Sequence, residues 1–239
     1  MYILAFETTG PVGSAALADG EGRILLRCTT EPMSHLKRLA EMAGELMEEA
    51  GIGPAEIGAV AASVGPGSFT GIRIGVTTAR TFAQARGIPC VPVSALEIFA
   101  QHCGKGHPVA AVFNARRGQV YGAVYGADGT EVLAPGPYML TDVLEAVRDL
   151  PDAVFYGDGV DAYAEQLAGY ACAPKEERYQ TAAMTARAAL AKIEAGGTVS
   201  YEDLMPDYMR ATEAEQKLAD GTLEKLRAAK LKRFMENNR

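Results

Sequence analysis

The stretch SVGPGSFTGIRIG, residues 63–75, constrains the fold of this 239-residue chain more than any other segment. It begins within the last three residues of the apolar run IGAVAASVG, which is typical of a buried strand. It then leads into apolar residues at helical spacing. Glycines at 65, 67 and 71 and a proline at 66 separate the two patterns, and both residue types favour tight turns. The sequence therefore predicts a strand, a glycine-rich turn and a helix over 71–86.

A glycine-rich turn before a helix raises the question of phosphate binding. The phosphate loop of nucleotide hydrolases needs Lys followed by Ser or Thr after its last glycine, whereas here Gly71 is followed by Ile72 and Arg73. The glycine spacing also differs from that of the dinucleotide-binding motif. Two interpretations stay open: an anion site built from free N–H groups at the helix N-terminus, or a turn that only shapes the backbone.

The predicted helix 71–86 carries small residues at every fourth position. A second amphipathic helix, predicted over 35–50, brings methionines such as Met42 and Met47, which adapt to varied apolar surfaces. From the residues alone, the two helices either pack on each other or present a docking face to another protein. The nearly flat face of helix 71–86 would consist of Gly71, Gly75, Ala79 and Ala83.

The rest of the pattern predicts a mixed α/β protein with two lobes. Three short strands precede helix 35–50, and alternating strand and helix patterns follow. The segment GKGH, residues 104–107, predicts a hinge, after which strands begin again at PVAAVFNA and GQVYGAVYG. Helical segments are predicted near 141–149, 160–168 and 182–195. We expect an N-terminal lobe over 1–104, a C-terminal lobe over 105–217 and a charged extension over 218–239.

Composition argues against several classes of protein. The net charge of −7 disfavours a chain that grips nucleic acid by itself, since that needs clustered Lys and Arg. Three histidines and four scattered cysteines give no spacing typical of a zinc site, and no G-x-S-x-G nucleophile motif is present. No apolar run approaches the roughly 20 residues of a membrane span. We expect a cytoplasmic protein with reduced thiols.

Four motifs resemble those of one family. The segment SVGPGSFTGIRIGVTTARTFAQARGIPCVPVSALE closely resembles the signature of the TsaB family of the bacterial tRNA threonylcarbamoyladenosine machinery. The N-terminal ILAFETTGPVGSAAL is similar to the first strand and turn of that family. NARRGQVYGAVY at 114–125 resembles its second-lobe strand pair, and PDYMRATEAEQK at 206–217 resembles its closing motif.

The resemblance implies the actin-like ATPase (ribonuclease H-like) fold, an α/β architecture of two lobes, each a mixed sheet flanked by helices. It also implies a non-catalytic subunit that pairs with the paralogue TsaD and, with the ATPase TsaE, supports transfer of a threonylcarbamoyl group to N6 of adenosine 37 in tRNA. A homodimer is expected when the chain is alone, and tRNA is contacted only through the complex. The metal-binding histidine pair of the paralogue has only His35 as a counterpart here.

The resemblance further implies that no cofactor or metal binds to this chain alone, with ATP present in the assembled complex. Alternative functions are an ATP-dependent kinase-like enzyme of the same fold or a metallopeptidase. Around the turn that Glu7 begins, vestigial phosphate-loop positions are expected at Thr8, Thr9, Gly65, Gly67, Ser68 and Gly71. The family docks partners through its first two helices, which implies an interface of Met42, Leu46, Ile72, Gly75, Val76, Ala79, Phe82 and Ala83.

Overall fold

The computed structural model describes residues 1–29, 35–116 and 118–209, and it contains two mixed β-sheets of five strands each. In the first sheet the strand order is β3-β2-β1-β4-β5, with β1, β2 and β3 antiparallel and β1, β4 and β5 parallel. The parallel pairing brings the carboxyl ends of β1 and β4 to one edge of the sheet. The strands are β1 (Tyr2–Glu7), β2 (Ser14–Ala18), β3 (Ile24–Cys28), β4 (Ile57–Gly65) and β5 (Cys90–Ser94).

The second sheet repeats the topology of the first. Its order, β8-β7-β6-β9-β10, again combines three antiparallel strands with parallel pairs β6–β9 and β9–β10. The predicted fold class, the α/β actin-like ATPase fold with two mixed sheets flanked by helices, is therefore confirmed. The strands are β6 (Val109–Asn114), β7 (Gln119–Tyr125), β8 (Glu131–Met139), β9 (Val154–Tyr156) and β10 (Ala171–Cys172).

The two long helices of the first half are α1 (His35–Ala50) and α2 (Phe69–Arg86). Helix α1 has the predicted bounds. Helix α2 begins two residues before the predicted start because Ser68 caps it, its hydroxyl accepting a hydrogen bond from the Gly71 N–H. Gly87 ends α2 in the left-handed conformation, with φ of +64°.

The later helices are all shorter, and α6, with 13 residues, is the longest of them. The predicted helix 160–168 is wrong in length, because only one turn is helical and the backbone at Tyr163 leaves the helical region. Segments of 3₁₀ helix occupy Pro54–Glu56 and Glu97–Lys105. The helices are α3 (Leu140–Ala146), α4 (Gly159–Ala162), α5 (Lys175–Arg178) and α6 (Ala182–Glu194).

Helix α6 follows the second sheet in the chain but packs against β1 and β2 of the first sheet. Its first N–H, on Ala182, donates to the Ser14 hydroxyl at 2.9 Å, and the hydroxyls of Thr185 and Ser63 lie 3.1 Å apart. Both sheets thus belong to one compact unit, Met1–Asp207. The predicted boundary at 104 stays a prediction, and the boundary at 217 lies outside the described residues.

Within the described ranges, no helix is long and apolar enough to cross a membrane.

Candidate functional site

The candidate site lies where the turns after β1 and β4 meet. Crevices at the carboxyl ends of adjacent parallel strands are where open α/β sheets bind ligands. The Ser68 N–H donates to the Thr9 carbonyl at 2.8 Å, and the Thr8 hydroxyl donates to the Gly71 carbonyl at 2.7 Å. These two bonds hold the glycine-rich turn against the turn that follows Glu7.

Each glycine of the motif meets a particular group of the chain. A Cβ on Gly71 would overlap the Thr8 carbonyl oxygen, and a Cβ on Gly75 would lie 2.5 Å from the Thr8 hydroxyl. At Gly67, a Cβ would overlap the carbonyl oxygen of Thr9. The glycine spacing therefore records where α2 and its N-terminal turn contact the β1 turn.

Gly65 accommodates a different segment, the backbone at Asp207. The Asp207 N–H donates to the Val64 carbonyl at 2.7 Å, and a Cβ on Gly65 would overlap the Asp207 carbonyl oxygen. Gly65 also has φ of +130°, which L-residues with side chains rarely adopt. Gly65 is required by the close approach of the Asp207 backbone to the end of β4, and the sequence offered no signal of that approach.

Glu7 occupies the centre of the site and is fully buried. Its Oε1 accepts two hydrogen bonds of 2.6 Å from Thr9, one from the backbone N–H and one from the hydroxyl. A backbone N–H in such a turn is the kind of donor that phosphate-binding loops offer to an anion. Here the carboxylate of the chain itself takes that donor.

Gln180 covers the same turn and was not predicted as a site residue. It is 3% exposed, and its Nε2 donates to the Thr9 hydroxyl oxygen at 3.2 Å. A Cβ placed on Gly10 would lie 2.6 Å from that amide nitrogen. Because Gln180 lies far from Gly10 in the chain, only the folded structure brings the two together.

The electrostatic environment favours the neutral form of Glu7. Burial raises the pKa of the Glu7 carboxyl group, and contacts with Ser63, Thr9 and Gly10 lower it by a smaller amount. The second oxygen, Oε2, has no hydrogen bond of normal geometry within the described ranges. A carboxylate placed in this way is expensive to ionise.

The described residues contain no group of three or more His, Cys, Asp or Glu side chains placed to hold a metal ion. The rings of His102 and His107 stack on Tyr156 in β9, with centroids 4.4 and 6.3 Å away. Cys90 is buried, and burial raises the pKa of its thiol to about 11, which disfavours the reactive thiolate. The two histidines are therefore partly buried packing residues, and Cys90 is a core residue.

The structure buries most of the predicted interface residues, so the expectation that they form an exposed docking face is wrong. We expected an exposed docking face, but the small side chains of α2 lie against β1 and β4, because their size lets the helix approach the sheet closely. Phe82 is half-buried. The buried members of the predicted set are Met42, Leu46, Ile72, Gly75, Val76, Ala79 and Ala83.

The surface that α2 exposes consists of other residues, which we call the outer α2 face: Phe69, Arg73, Thr77, Arg80, Thr81 and Gln84. The Arg73 guanidinium lies 4.1 Å from the centroid of the Phe69 ring, which is 38% exposed. Arg80 contacts the sulfur of Met205 at 3.6 Å, and Met205 is 58% exposed. An open groove of about 400 Å³ runs between Thr77, Thr81 and Tyr201.

Comparisons with known proteins identify the relatives of the chain. The family model described as "TsaD: tRNA N6-adenosine threonylcarbamoyltransferase" matches residues 32–216. The tRNA threonylcarbamoyladenosine biosynthesis protein TsaB of Bacillus subtilis is 29% identical over 91% of this chain and 97% of its own length. The Escherichia coli protein of the same name is 34% identical over 54% of this chain and 56% of its own length.

A solved structure agrees with these relatives. YeaZ from Pseudomonas aeruginosa is 28% identical, has a TM-score of 0.70, and is matched over 87% of this chain and 100% of its own. The resemblance that the four motifs suggested is thereby confirmed. The chain belongs to the family that the TsaD model describes and, within it, to the TsaB proteins.

Proposed function

We propose that the chain is a non-catalytic partner subunit of the complex that transfers a threonylcarbamoyl group to N6 of adenosine 37 in tRNA. Its membership of the TsaB proteins supports a role in that pathway. The observation that supports a non-catalytic role is that side chains of the chain itself occupy the turn after β1. There the Thr9 N–H and hydroxyl donate to Glu7, and Gln180 covers Gly10.

The same observation supports the proposal that no cofactor binds to this chain alone. A nucleotide phosphate would compete with Glu7 for the Thr9 donors and would have to displace Gln180. The ATP used by the complex would then bind to other subunits. With a net charge of −7, this chain would contact tRNA only as part of the assembly, in the cytoplasm.

The outer α2 face, together with the outward side of α1, is the surface we propose for docking a TsaD-like subunit, with a TsaE-like ATPase as a further partner. Helix α2 carries arginines at 73, 80 and 86 and no acidic residue. The exposed side of α1 carries Glu41, Glu45, Glu48 and Glu49. Glu41, Glu45 and Glu49 already pair with Arg38 or Arg27 of the same chain, so charge does not select the partner, and a homodimer in the absence of partners is expected from the family resemblance alone.

Reconstitution of tRNA modification tests the proposal. Purified TsaD-like and TsaE-like proteins, an enzyme that supplies the threonylcarbamoyl donor, ATP and unmodified tRNA are mixed with and without this chain. We expect modification of adenosine 37 only when the chain is present, and no transfer by the chain alone. Full modification without the chain would contradict the proposal, and ATP hydrolysis by the isolated chain would favour the kinase-like alternative.

A further inference from the structure

Residues 178–182 cross from the second sheet to the first. They join α5, which packs against β9, to α6, which packs against β1 and β2. Neighbouring residues in this short segment have hydrogen-bond partners on different sheets. The segment therefore connects the two halves of the compact unit through side chains as well as through the backbone.

The first part of the segment is anchored on the second half, at the residues that follow β9 and β10 and on α4. The Arg178 carbonyl accepts from the Gly157 N–H at 2.7 Å, and its guanidinium donates to the Ala173 carbonyl and pairs with Asp161. The Tyr179 hydroxyl donates to the other oxygen of Asp161 at 2.6 Å. Burial and the bond to Asp161 raise the pKa of the Tyr179 hydroxyl to about 12, so this donor keeps its proton at physiological pH.

The next residues are anchored on the first sheet. Gln180 donates to the Thr9 hydroxyl, which in turn donates to Glu7. Two residues later, the Ala182 N–H donates to the Ser14 hydroxyl. Only one peptide bond separates the Tyr179 anchor from the Gln180 anchor, so the sheets cannot move apart at this point without breaking one of them.

We propose that residues 178–182 form an interlobe latch that keeps the two halves closed and holds Gln180 over the Thr9–Gly10 turn. The inference concerns the isolated chain and does not depend on the proposed function. If the latch operates, loss of an anchor on the second sheet loosens the turn on the first sheet. The Tyr179 hydroxyl bonds to Asp161 in the second half and not to that turn, so its effect there would pass through the latch.

Hydrogen–deuterium exchange of the full chain tests this coupling. In Tyr179→Phe, we expect the amides of residues 8–14 to exchange about fivefold faster, the factor that corresponds to one lost hydrogen bond. Tyr163→Phe is the matched control, because the Tyr163 hydroxyl donates to the Gln119 carbonyl within the second half. That control should leave residues 8–14 unchanged.

Two further measurements complete the design. Gln180→Ala should raise exchange in residues 8–14 and also in residues 157–163, which lie around the Asp161 anchor. Peptides from α3 report global unfolding, and Asp161→Asn replaces Tyr179→Phe if that variant unfolds. Unchanged exchange of residues 8–14 in the folded second-sheet variants, or an equal increase in Tyr163→Phe, would overturn the proposal.

Discussion

Glu7 shows how a single buried carboxyl group affects the stability of the whole chain. Burial raises the pKa of the folded-state carboxyl group above its ordinary value of about 4.3. Between that value and the raised pKa, the folded chain holds more protons than the unfolded chain. The contribution of Glu7 to stability is therefore fully present at low pH and is lost as the pH rises through the folded-state pKa.

Replacing Glu7 by glutamine removes this dependence. Glu7→Gln keeps an oxygen that accepts the two Thr9 bonds and has no charge to bury, so the unfolding free energy at pH 8 should rise. Between the ordinary and the raised pKa of Glu7, the unfolding free energy of the wild type should fall by at most about 1.4 kcal/mol per pH unit, the slope for one proton. Urea unfolding of both proteins between pH 5 and 8 checks this, with exposed Glu21→Gln as the control. Parallel pH profiles for Glu7→Gln and wild type would contradict the assignment.

At the scale of elements, α2 shows what the sequence could and could not predict. Its existence and its turn followed from the spacing of apolar residues and glycines, and α1 and β4 were predicted with their observed bounds. The partner of the small-residue face was assigned wrongly. Small residues indicate that something approaches closely, but the pattern is the same whether the neighbour is the Thr8 turn of the same chain or another protein.

Substitutions at Ala79 and Thr77 distinguish the role of the buried side of α2 from the role of its outer face. Ala79 is 0% exposed, so Ala79→Leu should overpack the sheet contact and lower the unfolding free energy by about 1–3 kcal/mol. Thr77 is exposed, so Thr77→Glu should change stability by less than about 0.5 kcal/mol but weaken binding to a TsaD-like protein about tenfold.

Denaturant unfolding and a binding titration on both variants measure this contrast. A stable Ala79→Leu protein would show that the helix face is not packed as described. Unchanged affinity of Thr77→Glu would remove the outer α2 face from the proposed interface, while leaving the burial of Ala79 unaffected.

At the scale of the molecule, two sheets repeat one topology, and this was predicted from family resemblance. Local pattern alone missed β8, because Pro135, Gly136 and Pro137 argue against a strand, and the chain tolerates them in β8 at the edge of the sheet. It also gave no sign that α6 returns to the first sheet. The site depends on that return, because Gln180 reaches the Glu7 turn only when α6 packs on the first sheet.

The chain fills its own Thr9–Gly10 turn with Glu7 and Gln180. Calorimetric titration of Mg-ATP into the purified chain measures whether a nucleotide can still bind there. We expect no saturable heat, because the Thr9 donors are engaged and Gly10 is covered. Saturable binding with a micromolar dissociation constant would contradict it.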